Sequence, residues 1–164
     1  MHPFPEDRLE YRIIAPGEHP HWEEALALVN RDLAVTLPEL RPLLLVAPPQ
    51  YEPDEPEQVY VALSDGLWWG NHLHEESAPE PGAALAAVAE AAQDTITECL
   101  WRAWPLCGEH GLGMHPRDDA DGVLSWWCAG DRAGGTTGYL RAPVGALDTL
   151  VRPHRPNRAR RRGN

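Results

Sequence analysis

The sequence contains no lysine; all 14 of its basic residues are arginine. It also has one phenylalanine, two methionines and only three cysteines. Three cysteines are an odd number and too few for the disulfide framework of a small secreted domain. Long apolar runs are missing as well. Residues 43–47, Leu-Leu-Leu-Val-Ala, are strongly hydrophobic, but a membrane-spanning helix needs about 20 such residues. The opening Met1-His2-Pro3-Phe4-Pro5-Glu6-Asp7 has neither the basic region nor the apolar region of an export signal. Reduced thiols, a cytoplasmic location and no membrane partner are therefore expected. Arginine in place of every lysine, with abundant alanine, is the composition of a high-GC bacterial genome.

What is present is unevenly spread. All 25 acidic residues lie at or before Asp148, against eight arginines before residue 152, so the body carries −17. Six arginines crowd into 152–162 and give that tail +6. An acidic body disfavours contact with nucleic-acid phosphates through its general surface. At 164 residues, 43% of them hydrophobic, and with a mean hydropathy of −0.44, the chain is long enough for one soluble domain with a sizeable core.

Periodicity predicts an α+β fold, a small antiparallel sheet packed by two helices, over residues 1–151. Residues 9–14 partly alternate and read as a first strand, ended by Pro16-Gly17. A helix should start near Pro20, with Trp22, Leu26, Val29 and Leu33 as its apolar stripe, and fade before Pro38. Residues 43–47 read as a buried strand, and 48–57 as a proline-rich acidic loop. Residues 59–63 and 67–73 flank Ser64-Asp65-Gly66 and predict a hairpin. The second helix should run from Pro81 to about Trp104, burying Leu85, Val88, Ala92, Ile96 and Leu100, until Pro105 stops it. Asp118-Asp119-Ala120-Asp121-Gly122 reads as a solvated hairpin tip rather than a calcium loop, since the required glutamate and flanking helices are missing. Val123 to Cys128 reads as a strand, and Val144 to Val151 as a short helix or strand. The stretch 130–138 is glycine-rich but has no Gly-Lys-Ser/Thr and no strand–helix context for a phosphate loop. Residues 152–164 offer almost nothing apolar to pack and are expected to be a disordered arginine-rich tail.

The chemistry concentrates between Cys107 and Cys128. Cys107 and His110 have the two-residue separation of a metal knuckle, with Gly108 and Gly111 supplying backbone freedom. His115 follows five residues later, and Cys128 returns on the next strand. Cys107, His110, His115 and Cys128 together make a candidate closed four-ligand zinc site. The competing reading buries Cys107 and Cys128 as small core residues and leaves the histidines in solvent. A third makes Cys107 a nucleophile with His110 as its base, which needs a pocket and an oxyanion site. His72 and His74, followed by Glu75 and Glu76, form a second, weaker metal candidate.

Three functions follow from these features. The preferred one is a non-enzymatic cytoplasmic interaction protein, stapled by one structural zinc and meeting a protein partner through its acidic body or exposed tryptophans. One of Trp68/Trp69 and one of Trp126/Trp127 must face away from the core, because strand neighbours point to opposite faces. The second is a metal-dependent hydrolase using histidine ligands. The third is a nucleic-acid-associated protein held by the arginine tail, without an aromatic for base stacking.

Overall fold

Helix α1 covers Pro20–Thr36 and forms for the reasons its sequence suggests: Pro20 occupies the first turn, and the stripe of Trp22, Leu26, Val29 and Leu33 is buried. Glu23 reaches back to accept from the backbone N–H groups of Gly17 and His19, at 2.8 and 3.0 Å. These donors would otherwise be orphans at the helix start. The structure is a computed structural model that describes residues 10–130 and 138–150. The tail expected at 152–164 and nearly all of the stretch 130–138 lie outside the described residues.

Around α1 are β1 (Arg12–Ile13), β2 (Leu44–Ala47), β3 (Tyr60–Ala62), α2 (Pro81–Leu100), β4 (His115–Asp118), β5 (Leu124–Cys128) and β6 (Tyr139–Pro143), with 3-10 turns at Glu75–Ser77 and Leu147–Thr149. The fold is α+β, with two helices and two antiparallel three-stranded sheets, β1-β2-β3 and β4-β5-β6. A single sheet was expected. Instead α2 separates the strands into two sets and contacts both: β3 on one side, β4 and β5 on the other.

The expected hairpin after β3 is opened by a buried side chain. Only its ends pair: Leu63 N–H bonds Leu67 O at 2.8 Å, and Leu73 N–H bonds Val59 O at 2.8 Å. Between them the hydroxyl of Thr95, fully buried on α2, donates to Val61 O at 2.8 Å and accepts from Trp69 N–H at 3.2 Å. The helix thus takes the place of a ladder rung, and 67–73 is not a strand.

Helix α2 also ends earlier than expected. Trp101 adopts a left-handed conformation, φ 54°, directly after Leu100. The buried face is rotated toward the alanines: Ala84, Val88, Ala89, Ala92, Thr95 and Ile96 are buried, whereas Leu85 and Leu100 are only partly so. The hairpin tip at 118–122 is present. Asp119 Oδ1 accepts from Asp121 and Val123 N–H at 2.8 and 2.9 Å. Strand β6 was not anticipated; its Leu140 and Pro143 are exposed, so it lacks a continuous apolar face. No helix among the described residues is long and apolar enough to cross a membrane.

Candidate metal centre

Residues 104–114 form a tight loop against α2. Leu106 pairs with Gly113, Cys107 N–H bonds Leu112 O at 2.8 Å, and Gly111 N–H bonds Cys107 O at 2.8 Å. The last bond closes one turn around Cys107 and His110. Gly111 at its end has φ 65°, a conformation cheap for glycine and costly for other residues. From α2, Gln93 Nε2 donates to Trp104 O at 3.1 Å and to Met114 O at 2.7 Å, clamping both ends of the loop. Cys128 closes β5, opposite Tyr139 of β6.

Cys107, His110 and Cys128 thereby converge. Their ligand atoms all lie within 4.8 Å of one another, with both cysteines buried and His110 half-buried. His110 Nδ1 stands 3.6 Å from each sulfur. Zinc bonds of about 2.3 Å to sulfur and about 2.0–2.1 Å to nitrogen, at tetrahedral angles, put nitrogen and sulfur about 3.6 Å apart. One ring nitrogen carries at most one proton, so it can serve only one sulfur as donor at a time. A cation satisfies both sulfurs at once. His115 does not join the three. It is exposed on β4 and paired opposite Trp127, so it shares the sheet face of Trp127 and not that of Cys128.

The surroundings favour thiolate at Cys107 and disfavour it at Cys128. Burial pushes the Cys107 thiol up, but the His110 ring, the backbone N–H groups of His110 and Glu109, and Cys128 outweigh it and hold Cys107 down at about 7. Cys128 is pushed up by burial and by neighbouring Cys107, against the pull of Gly130 N–H, which lies 3.4 Å from its sulfur. Cys107 therefore ionises before Cys128, which would need a cation beside it to reach the thiolate. Both cysteines receive backbone N–H groups from residues just after them, an arrangement that spreads thiolate charge into the chain.

A second layer ties the knuckle to β6. Glu109 accepts from Tyr139 Oη at 2.8 Å and from Arg141 Nη1 at 2.9 Å. The Tyr139 ring stands edge-on to His110, with centroids 6.0 Å apart. Sequence reading missed Gln93, Tyr139 and Arg141, because each reaches the loop from a distant part of the chain. The nucleophile reading finds no base dedicated to Cys107, since His110 Nδ1 is shared equally with Cys128. His72 and His74 stack edge-on, 5.2 Å between centroids, without a third ligand. Cys107, His110 and Cys128 are the one group of three metal-ligating side chains among the described residues. Cys99 is half-buried.

Comparison of the chain with family models, with curated proteins and with solved structures finds no match. What the site can do rests on its own geometry.

Proposed function

We propose that the chain is a non-enzymatic cytoplasmic interaction protein, stapled by one structural zinc ion on Cys107, His110 and Cys128. The observation that supports this most is the pair of 3.6 Å separations between His110 Nδ1 and the two sulfurs. Two sulfurs and one imidazole suit zinc, whereas calcium and magnesium take oxygen ligands. The staple joins the loop leaving α2 to the end of β5.

A structural role is favoured over hydrolysis by the setting. With His115 excluded, the three side chains leave zinc's fourth position open, as in a catalytic site, but a catalytic zinc keeps that position facing a cleft. Neither the cavity beside Thr36, Leu37 and Arg102 nor the groove beside Tyr60 and Trp68 is lined by any of the three ligands. The interaction reading draws on charge and aromatics. The body carries −17, and Trp69 and Trp101 are 51% and 91% exposed. Protein-sized hot spots are enriched in such residues.

Elemental analysis of the purified protein tests the staple. One zinc per chain is expected, lost in Cys107→Ser and in Cys128→Ser but kept in His115→Ala. Protein purified from zinc-supplied cells without bound metal would refute it, as would zinc that survives both cysteine substitutions.

A further inference from the structure

A groove of about 480 Å³ opens beside β3. Its walls are Pro48, Pro49, Tyr51, Pro56, Tyr60 and Trp68. The Tyr60 and Trp68 rings lie 4.8 Å apart at 31°, forming a tilted aromatic floor. Tyr51 is 99% exposed and contributes nothing to the core. Glu10 and Glu55 also line the groove, and among the described residues no arginine does. Glu52 and Asp54 stand exposed on the same loop. Arg12, two residues after Glu10, is neutralised by Glu18 and Glu57.

Such a surface sets two requirements on its ligand. Aromatic grooves take prolines presented on one side of an extended left-handed helix. The acidic rim demands positive charge beside those prolines. The sequence of residues 152–162, which lie outside the described residues, meets both: Arg-Pro-His-Arg-Pro-Asn-Arg-Ala-Arg-Arg-Arg. Pro153 and Pro156 are three residues apart, one full turn of the polyproline helix, so both meet the same surface. Arg155 and Arg158 then flank the proline side, within reach of carboxylates and of the Tyr51 ring face. The segment contains no acidic residue.

We propose that this groove binds the proline- and arginine-bearing C-terminal segment of a second copy of the chain. A second copy is preferred because of where a chain's own tail begins. Leu150 lines the cavity beside Thr36 and Leu37 and shares no lining residue with the groove. Three further residues extend about 10 Å at most, so a chain's own Pro153 stays within that distance of the cavity beside Thr36 and Leu37. The proposal extends the interaction reading above by naming a partner, and it does not involve the metal.

The test is the association of the full chain by analytical ultracentrifugation, with zinc measured in the same samples. The wild-type chain should self-associate at low salt and weaken roughly tenfold at high salt, as screening of exposed charges requires. Trp68→Ala and the double change Pro153→Ala/Pro156→Ala should each be monomeric alone. Mixed together they should associate, because one supplies an intact tail and the other an intact groove. Trp68 packs on Tyr60, so Tyr51→Ala is the companion variant that leaves the fold alone, and it too should weaken association. A wild-type chain that stays monomeric at every salt concentration overturns the proposal. So does association indifferent to Tyr51→Ala and Trp68→Ala. Retention on RNA that the groove variants leave unchanged, without self-association, assigns the tail to nucleic acid and overturns it as well. Zinc retained in any of these failures leaves the staple standing, whereas self-association without zinc removes the staple alone.

Discussion

The chain before Trp101 and the chain after it are held together by different means. Before it, α1, α2, β2 and β3 bury aliphatic side chains on facing surfaces; Val29, Val46, Val88 and Ile96 are wholly inaccessible. After it, β4 is exposed except at half-buried Pro116, and β6 fully buries only Ala142. Its share of the core comes mainly from β5, where Trp126 and Cys128 are wholly buried, and a sheet this small needs more than that to be held. Polar side chains reaching out of the first region fix it as well. Asp32, fully buried on α1, accepts from Trp126 Nε1 at 2.7 Å, Gly145 N–H at 2.6 Å and Leu147 N–H at 2.9 Å. Gln93 clamps the loop, and the Cys/His cluster joins loop to strand. Where apolar area runs out, a few fully satisfied polar anchors take over, and each becomes individually costly to lose.

The comparison breaks most completely in the first region. Ile96→Asp puts an unpaired carboxylate into the shared core, at a cost on the order of the whole stability of a domain this size. No cooperative unfolding transition by circular dichroism is expected, because both regions pack on α2. Unchanged melting would show that α2 is not the common support.

Removing the proposed zinc staple should divide the two regions. Zinc contributes about 10–16 kcal/mol of apparent binding energy in isolated finger peptides. With a preformed core beside it, a loss of about 4 kcal/mol is expected on chelation or in Cys128→Ser. Hydrogen exchange should then accelerate across β4, β5 and β6 while α1 and β2 stay protected; uniform acceleration would erase the distinction. The metal-free chain should also be acid-sensitive in one window. Cys107 in the fold sits at about 7, below its ordinary 9. Its ionisation therefore stabilises the fold fully above pH 9, and that stabilisation is lost as pH falls through 7. Cys107→Ser should remove this slope.

Asp32 comes next. Asp32→Ala leaves three donors buried without partners and should cost about 3 kcal/mol. Asp32→Asn should cost about 1 kcal/mol, because one amide oxygen can still accept from both Trp126 and Gly145, leaving only Leu147 N–H facing an NH₂ group. Equal losses in urea denaturation would mean that the negative charge matters more than the bonds. Burial raises the Asp32 carboxyl, against the pull of Trp126, Gly145 and Leu147. The sign is thus opposite to that of Cys107: its contribution is present at low pH and declines as pH rises through the folded value.

Much of the first region is legible in sequence because its signals are local. The stripe of α1 is read from spacing alone; in the second region, the tip at Asp119–Gly122 is likewise local and is read from turn chemistry. The knuckle spacing likewise marks Cys107 and His110, and Cys128 meets them because β5 returns antiparallel to β4. What escapes is long-range. Thr95 opening a hairpin and Asp32 on an otherwise apolar helix face carry no local mark of their partners. His115 illustrates the limit from the other side: its place in the chain suggests a ligand, but a one-residue offset from Cys128 in strand pairing turns it to the opposite face.

Trp101 stands at the boundary itself, and the smallest effect is expected there. It takes the left-handed position that ends α2, φ 54°, where glycine or asparagine is usual. Its ring is 91% exposed and so contributes little burial. A left-handed conformation costs a non-glycine residue about 1–2 kcal/mol, and glycine's greater freedom in the unfolded chain returns part of any gain. Trp101→Gly should therefore stabilise the protein by about 0.5–1 kcal/mol, raising Tm by a few degrees without altering zinc content or exchange rates in either region. A loss of stability of that size or larger would mean that the indole is covered in solution, making Trp101 part of a contact that joins the two regions or a second molecule rather than the mere end of a helix.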